Sequence, residues 1–460
     1  MKRDDEKLAS RVLRVDVIEQ GGQARPGCIA CEIGADLEFS TSQLESYCLV
    51  QWEPVIFDSL VVAAAVEFCD RIQRRQTHHW GRTFELTVPV HDPDRWSAVS
   101  VSAALKAALD FLTGDCWQIT FAARKAPAYV PQQFSFEVPG ETRAVIAFSE
   151  GLDSRAVAGL MHREYGDGLI RVRLGTKQFQ PPITQSGKKQ PFTSIPYEVK
   201  PKTGEFIESS ARSRGFKFAT MSGIAAYLVK AEKVIMTESG QGSIGPVLVP
   251  VGQGYEDYRS YPLFTDRMEK FLYALLGHSV RFDFPRLWST KGETLAAFVK
   301  ECSDGSTWKM TRSCWQQTRH SSVGGKLRQC GICAACMLRR LSVHAAGLNE
   351  DRETYIWEDL ASPTFEDGAG SAVEHITKSK REYAIAGVLH LEHLAGLQKS
   401  AMDKVAIDLA VTMLSRSRGM AVDATRSAMT RLLNQHESEW MSFLDALGPK
   451  SFVMAWVGRP

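Results

Sequence analysis

Residues 144–166 read "AVIAFSEGLDSRAVAGLMHREYG": a short apolar run, a turn containing glycine, and an amphipathic stretch that stops at Gly166. The apolar run fits a buried strand, and the 3.6-residue spacing after it fits a helix. The pattern then recurs. "LIRVRLG" (169–175) reads as a strand, "FATMSGIAAYLVKAE" (218–232) as an apolar helix and "KVIMTES" (233–239) as a further strand, with "PPITQSGKKQP" (181–191) as a loop. Such alternation predicts βαβ units, and therefore an α/β fold with a parallel sheet and helices on both faces.

The flanking regions read differently. Residues 1–138 form an α/β unit of their own, with strands at 11–19, 84–90 and 116–124 and helices at 59–75 and 101–113. The second of these helices meets a stop signal at Gly114. A Pro-rich, polar stretch, "KAPAYVPQQFSFEVPGETR" (125–143), reads as a connector to a central domain at 139–362. Residues 363–460 read as a helical region, with helices at 381–398, 403–417 and 425–447.

Composition narrows the class. The 460 residues suffice for two to four domains, taking about 150 residues for each. With 44% hydrophobic and 23% charged residues the chain is of the globular type. Lys and Arg number 55 against 53 Asp and Glu, so nothing implies a global polyanion-binding role, although a local basic groove is compatible with it. The N-terminus, "MKRDDEKLAS", is not a signal peptide. The longest apolar run, near "LVVAAAVEF" (60–68), is too short to span a membrane. A cytoplasmic location is therefore expected. There, cysteines that cluster point to metal rather than to disulfides.

"SEGLDS" (149–154) has the makings of a phosphate cradle. A helix N-terminus presents unpaired backbone N–H groups and the positive end of the helix dipole. Gly151 lets backbone approach phosphate oxygens, with the Leu152 position beside it, and Ser149 and Ser154 add hydroxyl donors. Asp153 can cap the helix or help hold magnesium. The plain alternative is an ordinary capped helix start. Glu150 is the discordant letter. It is harmless if its side chain points outward and strained if its backbone needs a positive φ.

"SCWQQTRHSSVGGKLRQCGICAACMLRR" (313–340) places Cys330, Cys333 and Cys336 at C-x2-C-x2-C spacing, with Cys314 upstream. Four thiolates can close a tetrahedral zinc site, and with no open position such a site is structural. An iron–sulfur cluster or chance core cysteines are the alternatives, and Cys302 or His320 could replace Cys314 as the fourth ligand. Other candidates are weaker. "CIAC" (28–31) is a lone C-x2-C, "HLEH" (390–393) lies on a predicted helix, and His78 and His79 lack metal-ligand spacing. "RRQTHHWGR" (74–82) reads as a solvated helix end in preference to a docking or nucleic-acid patch.

"SEGLDS" resembles the S-G-G-x-D-S loop of the PP-loop ATP pyrophosphatases (N-type), with Glu150 where that family has its first central glycine. Together with Cys314, Cys330, Gly331, Cys333, Cys336, Leu338 and Arg339, the loop resembles the 7-cyano-7-deazaguanine synthase (QueC) family over about 144–360. "SRGFKFATMSGIAAYL" (213–228), "SYPLF" (260–264) and "STKGE" (289–293) add weaker likenesses. The resemblance implies a PP-loop (adenine nucleotide alpha hydrolase-like) core with a zinc knuckle, and ATP, Mg2+ and Zn2+ as cofactors. Ser149, Gly151, Leu152, Asp153 and Ser154 would bind ATP, with Asp153 and Ser154 catalytic. Arg339 would meet a carboxylate or phosphate of the substrate.

The implied chemistry is adenylation of 7-carboxy-7-deazaguanine followed by amide formation. "WGRTFELTVPVHDPDRW" (80–96) and "FLTGDCWQITF" (111–121) look like QueC-like proteins of bacterial anti-phage operons (Qat, and a CBASS type). That likeness implies the N-terminal amine of a partner protein from the same operon as acceptor. The short apolar runs and the near-zero net charge lead one to expect neither membrane nor direct nucleic-acid binding, and a homodimer is compatible with this reading. Nitrile synthesis with ammonia and a non-catalytic nucleotide scaffold are the alternatives. Thiolation of tRNA fits less well, because the cysteines are committed to metal and the net charge is near zero.

Overall fold

The computed structural model describes the chain except residues 1–11, 46–49, 77–79, 129–142, 176–191, 193–194, 253, 317–321, 324–325, 372, 374 and 459–460. In chain order the strands are β1 (Leu13–Ile18), β2 (Ile29–Glu32), β3 (Leu37–Phe39), β4 (Thr83–Val90), β5 (Cys116–Ala123), β6 (Ala144–Ala147), β7 (Leu169–Val172), β8 (Tyr197–Val199), β9 (Lys233–Ile235), β10 (Arg281–Asp283), β11 (Ser322–Val323) and β12 (Lys326–Leu327). The main helices are α1 (Val55–Ile72), α2 (Val99–Thr113), α3 (Leu152–Tyr165), α4 (Arg214–Leu228), α5 (Pro262–Leu276), α6 (Lys291–Glu301), α7 (Ala334–Ala345), α8 (Lys378–Gly396), α9 (Ala401–Arg418), α10 (Val422–Leu447) and α11 (Phe452–Val457). This is a mixed α/β protein with parallel sheets. None of the described helices is long and apolar enough to cross a membrane.

Two compact units share the chain. The first comprises Met1–Phe148, Tyr165–Met236 and Asp257–Asp283; the second comprises Ser149–Glu164, Thr237–Glu256 and Phe284–Pro460. The sequence boundaries expected at 138/139 and 362/363 do not coincide with these limits. Each unit is interleaved in sequence.

The first unit holds two four-stranded parallel sheets, ordered β2-β1-β4-β5 and β10-β9-β6-β7. In the former, Val15 lies opposite both Ile29 and Leu86, and Leu86 opposite Ile119. In the latter, Ile146 pairs with Arg171 and Ile235. An antiparallel pair joins β3 to β8. Helix α1 is apolar on nearly every side and buried from Val55 through most of its length, as expected of a core helix. Helix α2 stops at Gly114, where a positive φ of 69° suits glycine and its N–H caps the Asp110 carbonyl at 2.9 Å.

The basic stretch at 74–82 is not a solvated helix end. Arg75 and Arg82 are buried, and both donate to the buried carboxylates of Asp70 and Asp115 over 2.6–2.9 Å. Two arginines between two aspartates leave no net charge, which is how four ionic groups persist out of water. His78 and His79 lie outside the described residues.

The second unit is mostly helical. One apolar cluster joins α7, α8, α10 and α11 through Met337, Leu341, Val388, Leu391, Trp440, Phe443 and Phe452. A smaller one packs Leu152 and Ala156 of α3 against Leu295 and Phe298 of α6 and against Trp308 and Val343. The C-terminal helices are thus part of the core that surrounds the cysteine run.

Candidate functional site

The turn after β6 and the start of α3 gather a set of hydroxyls. Ser149 Oγ accepts the Gly151 N–H at 3.1 Å and lies 2.9 Å from Ser154 Oγ. Ser154 Oγ in turn lies 3.4 Å from Oγ1 of the buried Thr237, two residues past β9. The Leu152 side chain is sunk into the α3–α6 cluster, so this residue can offer a ligand only its backbone. Gly151 does not have a positive φ; a Cβ there would approach Ser149 Oγ to 3.2 Å, so its role is close packing. Glu150 is exposed and also lacks a positive φ. Its carbonyl accepts the Arg312 N–H at 2.9 Å, which fixes the loop to the segment that leads into Cys314.

Asp153 is buried and ion-paired. Lys291 Nζ donates to Asp153 Oδ2, and both side chains are shut away from solvent, while Asp153 Oδ1 is buried with no hydrogen-bond partner among the described residues. Lys291 is the first residue of α6, which begins with a capping box: Thr290 Oγ1 accepts the Glu293 N–H at 3.0 Å, and Glu293 Oε2 accepts the Thr290 N–H at 2.8 Å. The Lys291 N–H, unpaired within its own helix, donates to Gln241 Oε1 at 2.8 Å.

That contact continues into the C-terminal helices. Gln241 Nε2 lies 2.8 Å from His436 Nδ1, and His436 Nε2 lies 2.9 Å from the Leu391 carbonyl. A carbonyl only accepts, so Nε2 carries the proton and Nδ1 accepts from Gln241; the imidazole is neutral. Burial pushes its pKa down to about 4. Beside it, Thr290 Oγ1 donates to Glu439 Oε1 at 2.6 Å, and burial pushes the Glu439 carboxyl up.

The four cysteines converge as expected. The sulfurs of Cys314, Cys330, Cys333 and Cys336 all lie within 4.8 Å of one another, with Cys330 and Cys336 at 3.8 Å. A tetrahedron with zinc–sulfur bonds of about 2.3 Å has edges of about 3.8 Å, so the group can hold a zinc ion. Backbone N–H groups point at the sulfurs: Cys330 to Cys314 at 3.2 Å, Cys333 to Cys330 at 3.3 Å and Cys336 to Cys333 at 3.4 Å. Hydrogen bonds from the other three thiols pull the Cys314 thiol down, whereas burial pushes Cys333 and Cys336 up. Full ionisation of such a buried set needs a cation. Gly331 sits at φ +83° in the knuckle, where a Cβ would come within 2.9 Å of the Trp357 carbonyl. Gly387 of α8 crosses so close that a Cβ would meet the Ala334 nitrogen at 2.9 Å. Cys302 packs with the α3–α6 cluster and is not one of the four, and His320 lies outside the described residues.

Arg339 differs from expectation. It is buried and donates to Glu350 Oε1 at 2.7 Å, to Thr311 Oγ1 at 2.7 Å and to the Trp308 carbonyl at 3.4 Å. Paired with Glu350, it braces the segment before Cys314. His390 of "HLEH" is a satisfied core histidine: its Nδ1 lies 2.7 Å from the Val249 carbonyl, and burial lowers it to about 4. Cys28 and Cys31 belong to no metal-ligating group among the described residues.

Lys291 and Thr237 were not among the residues singled out from sequence. Lys291 lies inside "STKGE", whose Thr and Glu spell a capping box. That pattern marks where a helix starts, but not which buried carboxylate its first residue meets. No known family model matches this chain, and no curated protein matches it.

Proposed function

We propose that this protein is an ATP-dependent, AMP-forming ligase that activates the carboxylate of 7-carboxy-7-deazaguanine and joins it to an amine. The acceptor we favour is the N-terminus of a partner protein in bacterial anti-phage defence. The observation that carries the reading is the buried Asp153–Lys291 pair beside the Ser149, Ser154 and Thr237 hydroxyls at the start of α3. A plain helix cap needs neither a buried lysine nor a carboxylate oxygen left without a partner.

A carboxylate is a poor acyl donor, and AMP as leaving group supplies the driving force. In this reading the N–H groups at the start of α3 and the serine hydroxyls hold the phosphates. Lys291 places positive charge where the phosphates gather, and its pair with Asp153 keeps both groups oriented. Asp153 Oδ1 is the oxygen that would hold magnesium, which would supply charge neutralisation of the phosphates. The cysteine knuckle fixes the segment 312–316, and the Arg312 contact to the Glu150 carbonyl ties the loop to it.

Intact-mass spectrometry of proteins co-expressed from the same operon tests the acceptor. A mass increment equal to the deazaguanine acyl group, dependent on ATP, is the expected result. Absence of any adduct, together with no amide or nitrile formed from ammonia, would refute the ligase reading.

A further inference from the structure

The carboxyl edge of the first sheet carries a second group of polar side chains, none of which the proposed ligase site uses. His91 follows β4 directly, Arg124 follows β5 directly, and Glu53 and Pro54 lead into α1. With Arg95 and Lys125 they line a cleft of about 460 Å³. Open parallel sheets bind ligands at this edge, and small-molecule sites span about 300–1,000 Å³.

Within the cleft, hydrogen bonding leaves a definite remainder. Asp58 is fully buried, and both of its oxygens serve His91: Oδ2 accepts the backbone N–H at 2.9 Å and Oδ1 meets Nδ1 at 2.6 Å. In the neutral imidazole with Nδ1 as the donor, Nε2 is a lone-pair acceptor, and it has no hydrogen-bond partner among the described residues. Arg124 Nε donates to Glu19 Oε1 at 3.1 Å, yet its Nη1 is buried without a hydrogen-bond partner among the described residues. The Phe57 ring touches both groups, with the guanidinium carbon 4.2 Å from its centroid and the imidazole edge-on at 5.9 Å. Arg95 is occupied by Glu53 at 2.5 Å and by the Leu275 carbonyl at 2.8 Å, and Asp92 by the Arg95 N–H at 3.0 Å. Among the described residues the buried atoms left over are one acceptor, His91 Nε2, and one cationic donor, Arg124 Nη1, with the exposed Lys125 and Asp92 at the rim.

Buried polar atoms without partners are costly and need an explanation, and a core ion pair accounts for Asp58 but not for Nε2 and Nη1. We propose that the cleft binds a small molecule through a phosphate monoanion. That group carries acceptor oxygens for Arg124 and Lys125 and one P–OH proton for His91 Nε2. Carboxylate and sulfate lack that proton. The dyad with Asp58 sets the tautomer that makes this selection.

Calorimetric titration of the full chain with inorganic phosphate, with sulfate as control, tests the proposal. Saturable phosphate binding, stronger than sulfate binding, is expected. His91→Gln and Arg124→Gln should each weaken it by about tenfold or more, the scale of a lost charged hydrogen bond. Lys125→Ala, at an exposed position that leaves the fold intact, should weaken it by about two- to fivefold. Ser149→Ala with Ser154→Ala should leave the component of binding that depends on His91 and Arg124 in place. Equal binding of sulfate, no saturable binding, or binding lost in the serine variant but kept in the His91 and Arg124 variants would overturn the proposal. The last result would place the phosphate at the Ser149 loop and leave the ligase reading standing.

Discussion

Lys291 reaches across from the first turn of α6 to Asp153 in the first turn of α3, and the two side chains bury one another. Two helix starts thereby meet at one ion pair. The third contributor is Thr237, which follows β9 and touches Ser154. Residues far apart in sequence converge here around one carboxylate, whose second oxygen has no hydrogen-bond partner among the described residues.

Removing one member of that pair leaves a buried charge uncompensated. Lys291→Met should cost about 3–5 kcal/mol in urea denaturation. Adding Asp153→Asn to it should recover most of the loss, because the stranded carboxylate is then gone. In the ligase reading AMP formation falls by about 10²–10³ in Lys291→Met, the scale of losing one preorganised charge-stabilising group.

The cysteine knuckle should carry one zinc per chain. Cys333→Ser should lose the metal and destabilise the protein by more than about 4 kcal/mol, since structural zinc is coupled to folding. Cys302→Ser should retain it, because that sulfur packs elsewhere. Gly387→Ala should destabilise by about 1–3 kcal/mol by pushing α8 off the start of α7. Elemental analysis and thermal melts of the three variants check these outcomes.

Acid should weaken the helical unit through two histidines. Burial holds His390 and His436 at about 4, below their ordinary value of 6.5. Between these values the unfolded chain takes up protons that the folded chain does not. Stability from this source is complete above 6.5 and falls as pH drops towards 4, by up to about 1.4 kcal/mol per pH unit for each histidine. Denaturation across that range should show the slope, and His436→Gln should flatten it by about one proton.

Glu150→Gly restores the glycine expected of a phosphate loop. The exposed side chain and ordinary φ of Glu150 give that change nothing to relieve. It should leave AMP release within about threefold and cost about 0.5–1 kcal/mol of stability, the backbone entropy of glycine. A large gain in AMP release would show that Glu150 suppresses the site.

Local signals in the sequence translated well into structure. The apolar run at 144–148, the Gly114 stop and the C-x2-C-x2-C run each encode their outcome within a few residues, and β6, the end of α2 and the sulfur cluster follow from them. What depends on long-range contact was not legible. Arg75 and Arg82 look solvated because nothing nearby in sequence announces Asp115, and Arg339 looks available because Glu350 lies on another turn of chain. Lys291 is one lysine among many until α6 sets it against Asp153. The division into units escapes the sequence for the same reason, since segments such as 149–164 join partners more than a hundred residues away.

In the proposed ligase the Ser149–Ser154 loop and Lys291 form the site that splits ATP to AMP. The decisive measurement quantifies AMP and pyrophosphate from the purified chain with Mg·ATP, 7-carboxy-7-deazaguanine and an amine donor. The account predicts stoichiometric AMP and pyrophosphate, abolished in a folded Asp153→Ala variant. ADP and phosphate in their place, no turnover with any amine, or AMP formation that survives Asp153→Ala would contradict it.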